Sequence, residues 1–323
     1  MDGWYVVAAV TAPINKRAGI RPEWLKVRVP GDLAQLPVSR LMNDLALNTV
    51  CQEARCPNIF ECWNAGTATF MVLGEICTRR CTFCAVGRGN PLLADADEPR
   101  RVAEAVETMG VRHAVITMVN RDDMPDGGAE HMARTVRSVR ERTGAAVEVL
   151  ISDLEGNRDA LRTVIAAEPE VLAHNIETVP RLYPAVRPVA KYERSLDVLR
   201  WTHEERMLNS VHRGMLTKSS IMLGLGETED EILAVARDLR EAGVDIFTMG
   251  QYLAPSEKNH PVRRYYTPDE FTALGHEARA LGFHHVESAP LVRSSYMAHR
   301  AVAAQAHPIA ELQSAPDAAR DLR

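Results

Sequence analysis

The sequence has no cysteine before position 51 and none after position 84, although it runs to 323 residues. It has no apolar run approaching the roughly 20 residues that a bilayer-spanning helix needs. The short apolar stretch Trp4 to Val10 has no basic residue ahead of it and no convincing cleavage site, so it does not read as a secretory signal. A basic excess is missing too: 38 Lys and Arg stand against 43 Asp and Glu, a net charge of −5 that gives no footing for nucleic-acid binding. Disorder is excluded for most of the chain by 46% hydrophobic residues beside 25% charged ones. The expectation is a soluble, cytoplasmic protein of one large domain or two modest ones, binding neither membrane nor nucleic acid.

What the chain does have is six cysteines, at 51, 56, 62, 77, 81 and 84. A disulfide framework belongs to small secreted chains without a sizeable core, and this chain is long enough to bury one. Six thiols crowded together in a reducing compartment point instead to a metal or a cluster.

Prolines at 13, 22, 30, 37 and 57 break any long periodic element in residues 1 to about 64. From about 68 onward the pattern changes. Apolar, β-branched runs at 68–73, 114–119, 146–151, 171–176, 219–223 and 246–249 alternate with helical patterns near 98–109, 128–142, 158–167, 194–207, 229–241 and 268–281. That alternation predicts parallel βαβ units. Thr228 with Glu231, and Thr267-Pro268 ahead of Asp269-Glu270, predict helix starts. Six such units suit either a doubly wound sheet or a partial TIM-like barrel, and both place chemistry on the loops after the strands. Residues 301–323 are Ala-rich without strong periodicity and read as a flexible tail.

The cysteines form two triplets. Cys77, Cys81 and Cys84 make a C-x3-C-x2-C on the loop after the first predicted strand. Three thiolates hold three irons of a [4Fe–4S] cluster, whose full complement is four cysteines, and leave one iron open to chelation by a small molecule. Cys51, Cys56 and Cys62 lie ahead of the predicted strands and again lack a local fourth partner. Zinc is the competing reading, but structural zinc sites close at four ligands drawn from paired C-x2-C or H-x3–5-H units, and only Cys81 and Cys84 are so spaced. A thioredoxin-like pair would leave Cys77 without a role.

The second triplet, with Phe83 directly before its last cysteine, resembles the radical S-adenosylmethionine (SAM) superfamily. The run Cys51-Gln-Glu-Ala-Arg-Cys56-Pro-Asn-Ile-Phe-Glu-Cys62-Trp63, followed by Cys77-Thr-Arg-Arg-Cys81-Thr-Phe-Cys84, resembles the lipoyl synthase family. The likeness covers roughly Arg21 to Arg300. It includes Arg121-Asp-Asp-Met-Pro-Asp-Gly-Gly128, His174-Asn-Ile-Glu-Thr178, Leu216-Thr-Lys218 and Arg293-Ser-Ser-Tyr296. Ala289-Pro290, where the family commonly has Gly-Pro, and the loop 118–120 depart from it, both away from ligand positions.

The resemblance implies an α/β fold: a partial TIM-like (β/α)6 barrel with N-terminal and C-terminal extensions capping the mouth. Its divisions would be an extension over 1–66, the barrel over 67–288, a C-terminal segment over 289–300 and a tail over 301–323. It implies a sulfurtransferase that inserts two sulfurs at C6 and C8 of an octanoyl chain amide-linked to a lysine of a carrier protein. Cys77, Cys81 and Cys84 would hold the [4Fe–4S] cluster that binds SAM. Cys51, Cys56 and Cys62 would hold a second, auxiliary [4Fe–4S] cluster with Ser295 as fourth ligand and catalytic residue. An alkoxide is a hard partner for iron beside soft thiolates, and a ligand that leaves easily suits a cluster consumed as sulfur source. Asn175, Glu177, Lys218, Gly127, Gly128, Gln251 and Tyr252 are the expected SAM contacts. The implied partners are octanoylated lipoyl carrier domains (2-oxoacid dehydrogenase E2 subunits and the glycine cleavage H protein), a low-potential electron donor, and an iron–sulfur assembly or carrier protein.

Other residues carry simpler readings. Gly127 and Gly128 read equally well as turn glycines. His174 reads as a satisfied core histidine. Gly224-Leu-Gly226 lacks the third glycine of a dinucleotide loop, Glu229 standing in its place, and reads as a strand-to-helix turn. Arg79 and Arg80 read as a solvated, charge-balancing pair, and Lys218 with Gln251-Tyr252 as strand-end residues facing the pocket. Two other functions stay open on residues alone. A two-cluster methylthiotransferase would add an RNA-binding module, which the stretch after Gly250 does not resemble. An iron–sulfur electron carrier would leave six βα units and the open-site triplet unexplained.

Overall fold

The computed structural model describes residues 21–27, 36–54, 56–64 and 68–295. Short strands run β1 Asn48–Thr49, β2 Thr69–Val72, β3 Ile76–Cys77 and β4 Gly87–Arg88; longer ones follow as β5 His113–Met118, β6 Ala146–Leu150, β7 Val171–Ala173, β8 Leu216–Leu223, β9 Ile246–Gln251 and β10 His285–Ser288. The main sheet has the order β1-β2-β5-β6-β7-β8-β9-β10. From β2 to β10 every pairing is parallel, while β1 lies antiparallel along β2. The edges, β1 and β10, do not pair with each other among the described residues, so the barrel stays open on one side.

The helices before the barrel are α1 Pro37–Asp44, α2 Val50–Glu53 and α3 Ile59–Asn64. Crossovers between parallel strands are made by α4 Glu98–Met109, α5 Ala129–Thr143, α6 Arg158–Ile165, α7 Tyr183–Val186 with α8 Tyr192–Leu208, α9 Glu229–Glu241 and α10 Pro268–Ala280. Both expected capping boxes are present, Thr228 with Glu231 and Thr267 with Glu270, each satisfying two backbone donors that a helix start leaves open. Apolar side chains on the outer face of the sheet pack in two clusters. One joins β2, β5 and β6 to α4, α5 and α6, and also takes in Met42, Cys51, Phe60 and Trp63 from the segment ahead of the barrel. The other joins β8 to β10 with α9 and α10.

The short strands β1, β3 and β4 and the helices α1, α2, α3 and α7 were not expected, and two longer strands depart from expectation. Strand β10 has polar His285, Glu287 and Ser288 around a buried Val286, so it offers no apolar run. Strand β8 begins at Leu216 rather than 219. No helix among the described residues is long and apolar enough to cross a membrane.

Candidate metal centre

The second triplet occupies the loop between β3 and β4, whose pairing pins its base: Gly89 N–H donates to the Cys77 carbonyl at 3.2 Å. The loop backbone is held from outside at several points. Thr82 N–H donates to Val186 O at 2.9 Å, and His260 N–H to Thr82 O at 2.8 Å. Asn259 Nδ2 donates to the carbonyls of Thr82 and Cys84, each at 3.0 Å. The loop polar groups are thereby tied to the barrel rim, and the three thiols share one electrostatic neighbourhood: Cys84 feels both Cys81 and Cys77. Burial pushes the Cys81 thiol up, opposed by the Arg187 charge, and pushes Cys84 to about 11. Thiols of this kind ionise when a cation takes the proton's place, so metal uptake and proton release go together.

Arg79, between the cysteines, departs from its expected role. It is buried, whereas Arg80 is exposed. Its guanidinium donates to Asp122 through Nε and Nη2, both at 2.8 Å, and to Asp153 at 2.7 Å. Arg194 Nε lies 3.0 Å from the second Asp153 oxygen. The cysteine loop is thus riveted to the loops that follow β5 and β6. Burial pushes the Asp153 carboxyl up, but Arg79 outweighs it and holds the group down at about 2.

Arg79→Leu leaves the buried Asp153 with Arg194 as its remaining close cation and should cost about 2–3 kcal/mol of stability at neutral pH, less than an uncompensated buried charge would. Because the folded Asp153 lies below its unfolded value of about 3.9, its contribution is complete above about pH 4 and fades as pH falls towards 2. Denaturant titrations across that window should show a steeper slope in the parent than in Arg79→Leu. Equal stability and equal acid slopes would contradict this anchoring role.

The first triplet lies around α2 and α3, against β2. Cys51 is buried and Cys56 half-buried. Burial raises both thiols; the Arg293 charge opposes this at Cys56, and the Thr69 amide and hydroxyl oppose it at Cys51. Trp63 Nε1 is close enough to favour a Cys51 thiolate, yet this buried donor has no acceptor at bonding distance among the described residues. The chain after β10 comes to the same place. Pro290 O accepts from Gln251 N–H at 3.1 Å. Leu291 O then accepts from Asn58 Nδ2 at 2.8 Å, and Ser295 Oγ accepts from Thr69 Oγ1 at 2.9 Å. The segment 289–295 therefore leads from the C-terminal end of β9 across to β2, on the open side of the barrel. Tyr296, the last residue of that motif, lies outside the described residues.

No cysteine forms a disulfide. No three His, Cys, Asp or Glu among the described residues are already gathered on one ion's position. A cubane puts each thiolate on its own iron, so its ligands stand farther apart than those of a single zinc ion. Soft thiols in two groups, and a buried indole N–H with no acceptor, fit clusters carrying acceptor sulfides.

Comparison with known proteins decides the family. The model of the radical SAM superfamily matches residues 71–239. A curated lipoyl synthase from Rubrobacter xylanophilus is 59% identical over 280 residues, 86% of this chain and 85% of its own length. Another, from Chloroflexus aggregans, is 53% identical over 303 residues, 94% of this chain and 96% of its own. The chain belongs to the lipoyl synthase family. Among solved structures, SuiB of Streptococcus suis bound to precursor peptide SuiA aligns with TM-score 0.50 at 11% identity, covering 67% of this chain and 47% of that one, a likeness of fold alone.

Within this lipoyl synthase family member, the expected SAM-contact residues divide. Asn175 and Glu177 sit just beyond β7, beside the second triplet; the Glu177 charge reaches Cys81 and Cys84. Asn175 Oδ1 is buried with no partner among the described residues. Burial raises the Glu177 carboxyl against the pull of Arg187. Tyr252 is buried near Cys84, its hydroxyl donating to His260 O at 2.8 Å.

Lys218 is placed otherwise than its expected strand-end position. It is the third residue of the eight-residue β8, and its ammonium donates to buried Glu148 at 2.7 Å. Gln251 ends β9, but its Nε2 donates to the carbonyls of Leu223, Tyr252 and Arg264, and its Oε1 accepts from Tyr266 N–H. Its amide is fully used in holding the chain after β9.

The turn reading of Gly128 has a physical basis, because its φ is +89° and a Cβ would lie 2.3 Å from Leu73 Cδ1. Gly224 likewise has φ +104° and would put a Cβ 2.2 Å from Gln251 Nε2, so this turn is built for packing. His174 is the satisfied core histidine expected: its nitrogens lie 3.0 Å from Ile151 O and 3.0 Å from Ser195 Oγ. Burial, with the Arg187 charge, holds it at about 4.

Sequence reasoning passed over Arg187. This buried guanidinium donates through Nη1 to Asn175 O and Tyr183 OH, both at 3.0 Å, while its Nε has no partner among the described residues. No spacing or motif marked it; only folding brings it beside Cys81.

Proposed function

We infer that the chain inserts two sulfur atoms at C6 and C8 of an octanoyl chain amide-linked to a lysine, forming the lipoyl group and making it a sulfurtransferase. When bound, a cluster on Cys77, Cys81 and Cys84 supplies reductive cleavage of SAM to methionine and a 5′-deoxyadenosyl radical, and a cluster on Cys51, Cys56, Cys62 and Ser295 supplies sulfur. The chain's own residues bind and orient. Arg79 fixes the SAM-side cysteine loop. Asn175, Glu177, Gly127, Gly128 and Tyr252 line the place for SAM, with Arg187 as a further donor for an anionic group. Lys218 and Gln251 support that wall from behind. The described parts of the extensions 1–66 and 289–300 flank the barrel of 67–288 and shield a carbon radical from water, while the tail expected at 301–323 lies outside the described residues. The carrier is an octanoylated E2 or H-protein domain, served by a low-potential electron donor and an iron–sulfur carrier, in the cytoplasm.

The observation that supports this most is the 2.9 Å hydrogen bond from Thr69 to Ser295, which brings the C-terminal motif beside Cys51. The test compares neighbours. Ser295→Ala should leave SAM cleavage intact while lipoyl formation falls severely, whereas Ser294→Ala should be mild. Equal effects at equal iron content would refute the ligand role.

A further inference from the structure

Thr69 opens β2 and is nearly all buried, at 6% exposure. In register it stands opposite Val115, and Glu148 is paired to that same Val115 from the far side. The other residues of β2, Phe70, Met71 and Val72, all belong to the first apolar cluster. A hydroxyl in such a strand must find a partner or destabilise it. Its partner here is Ser295 Oγ at 2.9 Å, 226 positions away, and β1, which leads into Cys51, pairs along β2 with Thr49 beside Phe70. A second strap acts close by: Asn58, between Cys56 and Cys62 and 3% exposed, donates to Leu291 O at 2.8 Å. The two straps fix the segment at its backbone and at the serine oxygen.

We propose that Thr69 is a positioning residue that presents Ser295 Oγ to the auxiliary cluster beside Cys51 and donates its single hydroxyl proton to that oxygen while the oxygen is bound to iron. This deepens the reading of Ser295 as ligand and rests on it. A serine oxygen on iron has no proton to give, so it can only accept, and Thr69 is placed to be the donor. A hydrogen bond to a charged oxygen is stronger than one between neutral groups. Thr69 thus favours the serine-bound state and restrains the moment when that ligand leaves. Asn58, which grips a main-chain carbonyl, sets the direction from which the segment arrives.

The experiment uses the full chain, reconstituted anaerobically with both clusters. Extraction of iron by a chelator is followed through visible absorbance and iron analysis, together with the Mössbauer signature of the oxygen-ligated iron. Thr69→Val, which keeps the shape and removes the donor, should speed loss of the auxiliary iron roughly tenfold. Thr69→Ser, which keeps the hydroxyl, should restore the parent rate. Ser295→Ala should be faster than either and lack the oxygen-ligated signature. If Thr69→Val fails to fold, Thr69→Ala carries the same expectation. Parent-like extraction in the Thr69 variants beside a rapid Ser295→Ala would overturn the positioning role and leave the ligand intact. Parent-like extraction in Ser295→Ala itself would instead overturn the ligand reading beneath it.

Discussion

Changing Cys77, Cys81 and Cys84 together to alanine should reduce 5′-deoxyadenosine formation to the uncatalysed background while the auxiliary cluster remains bound. The loss should be total because the three thiols occupy a single loop, and no other Cys in the chain lies beyond the first triplet. The fold should survive, since the loop is held by the backbone N–H groups of Thr82 and His260 and by the side chains of Asn259 and Arg79, none of which needs sulfur. The other triplet rests on separate supports: α2, α3, β2 and the segment at 291–295. Measurable 5′-deoxyadenosine from a folded triple variant would show that SAM is cleaved elsewhere.

The reverse substitution separates the two halves of the reaction. Alanine at Cys51, Cys56 and Cys62 should leave SAM cleavage near the parent rate and give no detectable lipoyl product. The cost in stability should be modest. Cys51 is the buried member of the set, and shrinking a buried side chain to alanine typically costs about 1–3 kcal/mol. Loss of SAM cleavage together with the first triplet, in protein with unchanged secondary structure, would sink the division of labour.

How far these residues were legible in the sequence depends on what each one's partners are. The parallel strands with apolar runs could be read locally, as could both capping boxes, because their signals lie within a few residues. The two cysteine triplets were legible for the same reason. Strand β10 was not, since its buried Val286 stands among polar neighbours and its pairing with β9 supplies the order. Arg79 looked like half of a solvated pair because its carboxylates lie 43 and 74 positions away. Lys218 was misplaced by a strand start set three residues late, at the first strongly apolar stretch. Gln251 ends a strand as expected, but which way an amide turns is settled by the chain that follows it, where Tyr266 N–H and Arg264 O complete its bonding. The approach of Ser295 to Cys51 needed the family resemblance to be expected and the folded chain to be described.

The sulfur inserted should come from the auxiliary cluster that the chain carries. The direct measurement is a single turnover with enzyme whose clusters carry isotopically labelled sulfide, mixed anaerobically with an octanoyl-lysine carrier domain, SAM, a low-potential reductant and unlabelled sulfide. Both sulfurs of the lipoyl product should be labelled, in an amount no greater than the enzyme present. Unlabelled sulfur in the product, or an octanoyl chain left unchanged while SAM is consumed, would contradict it.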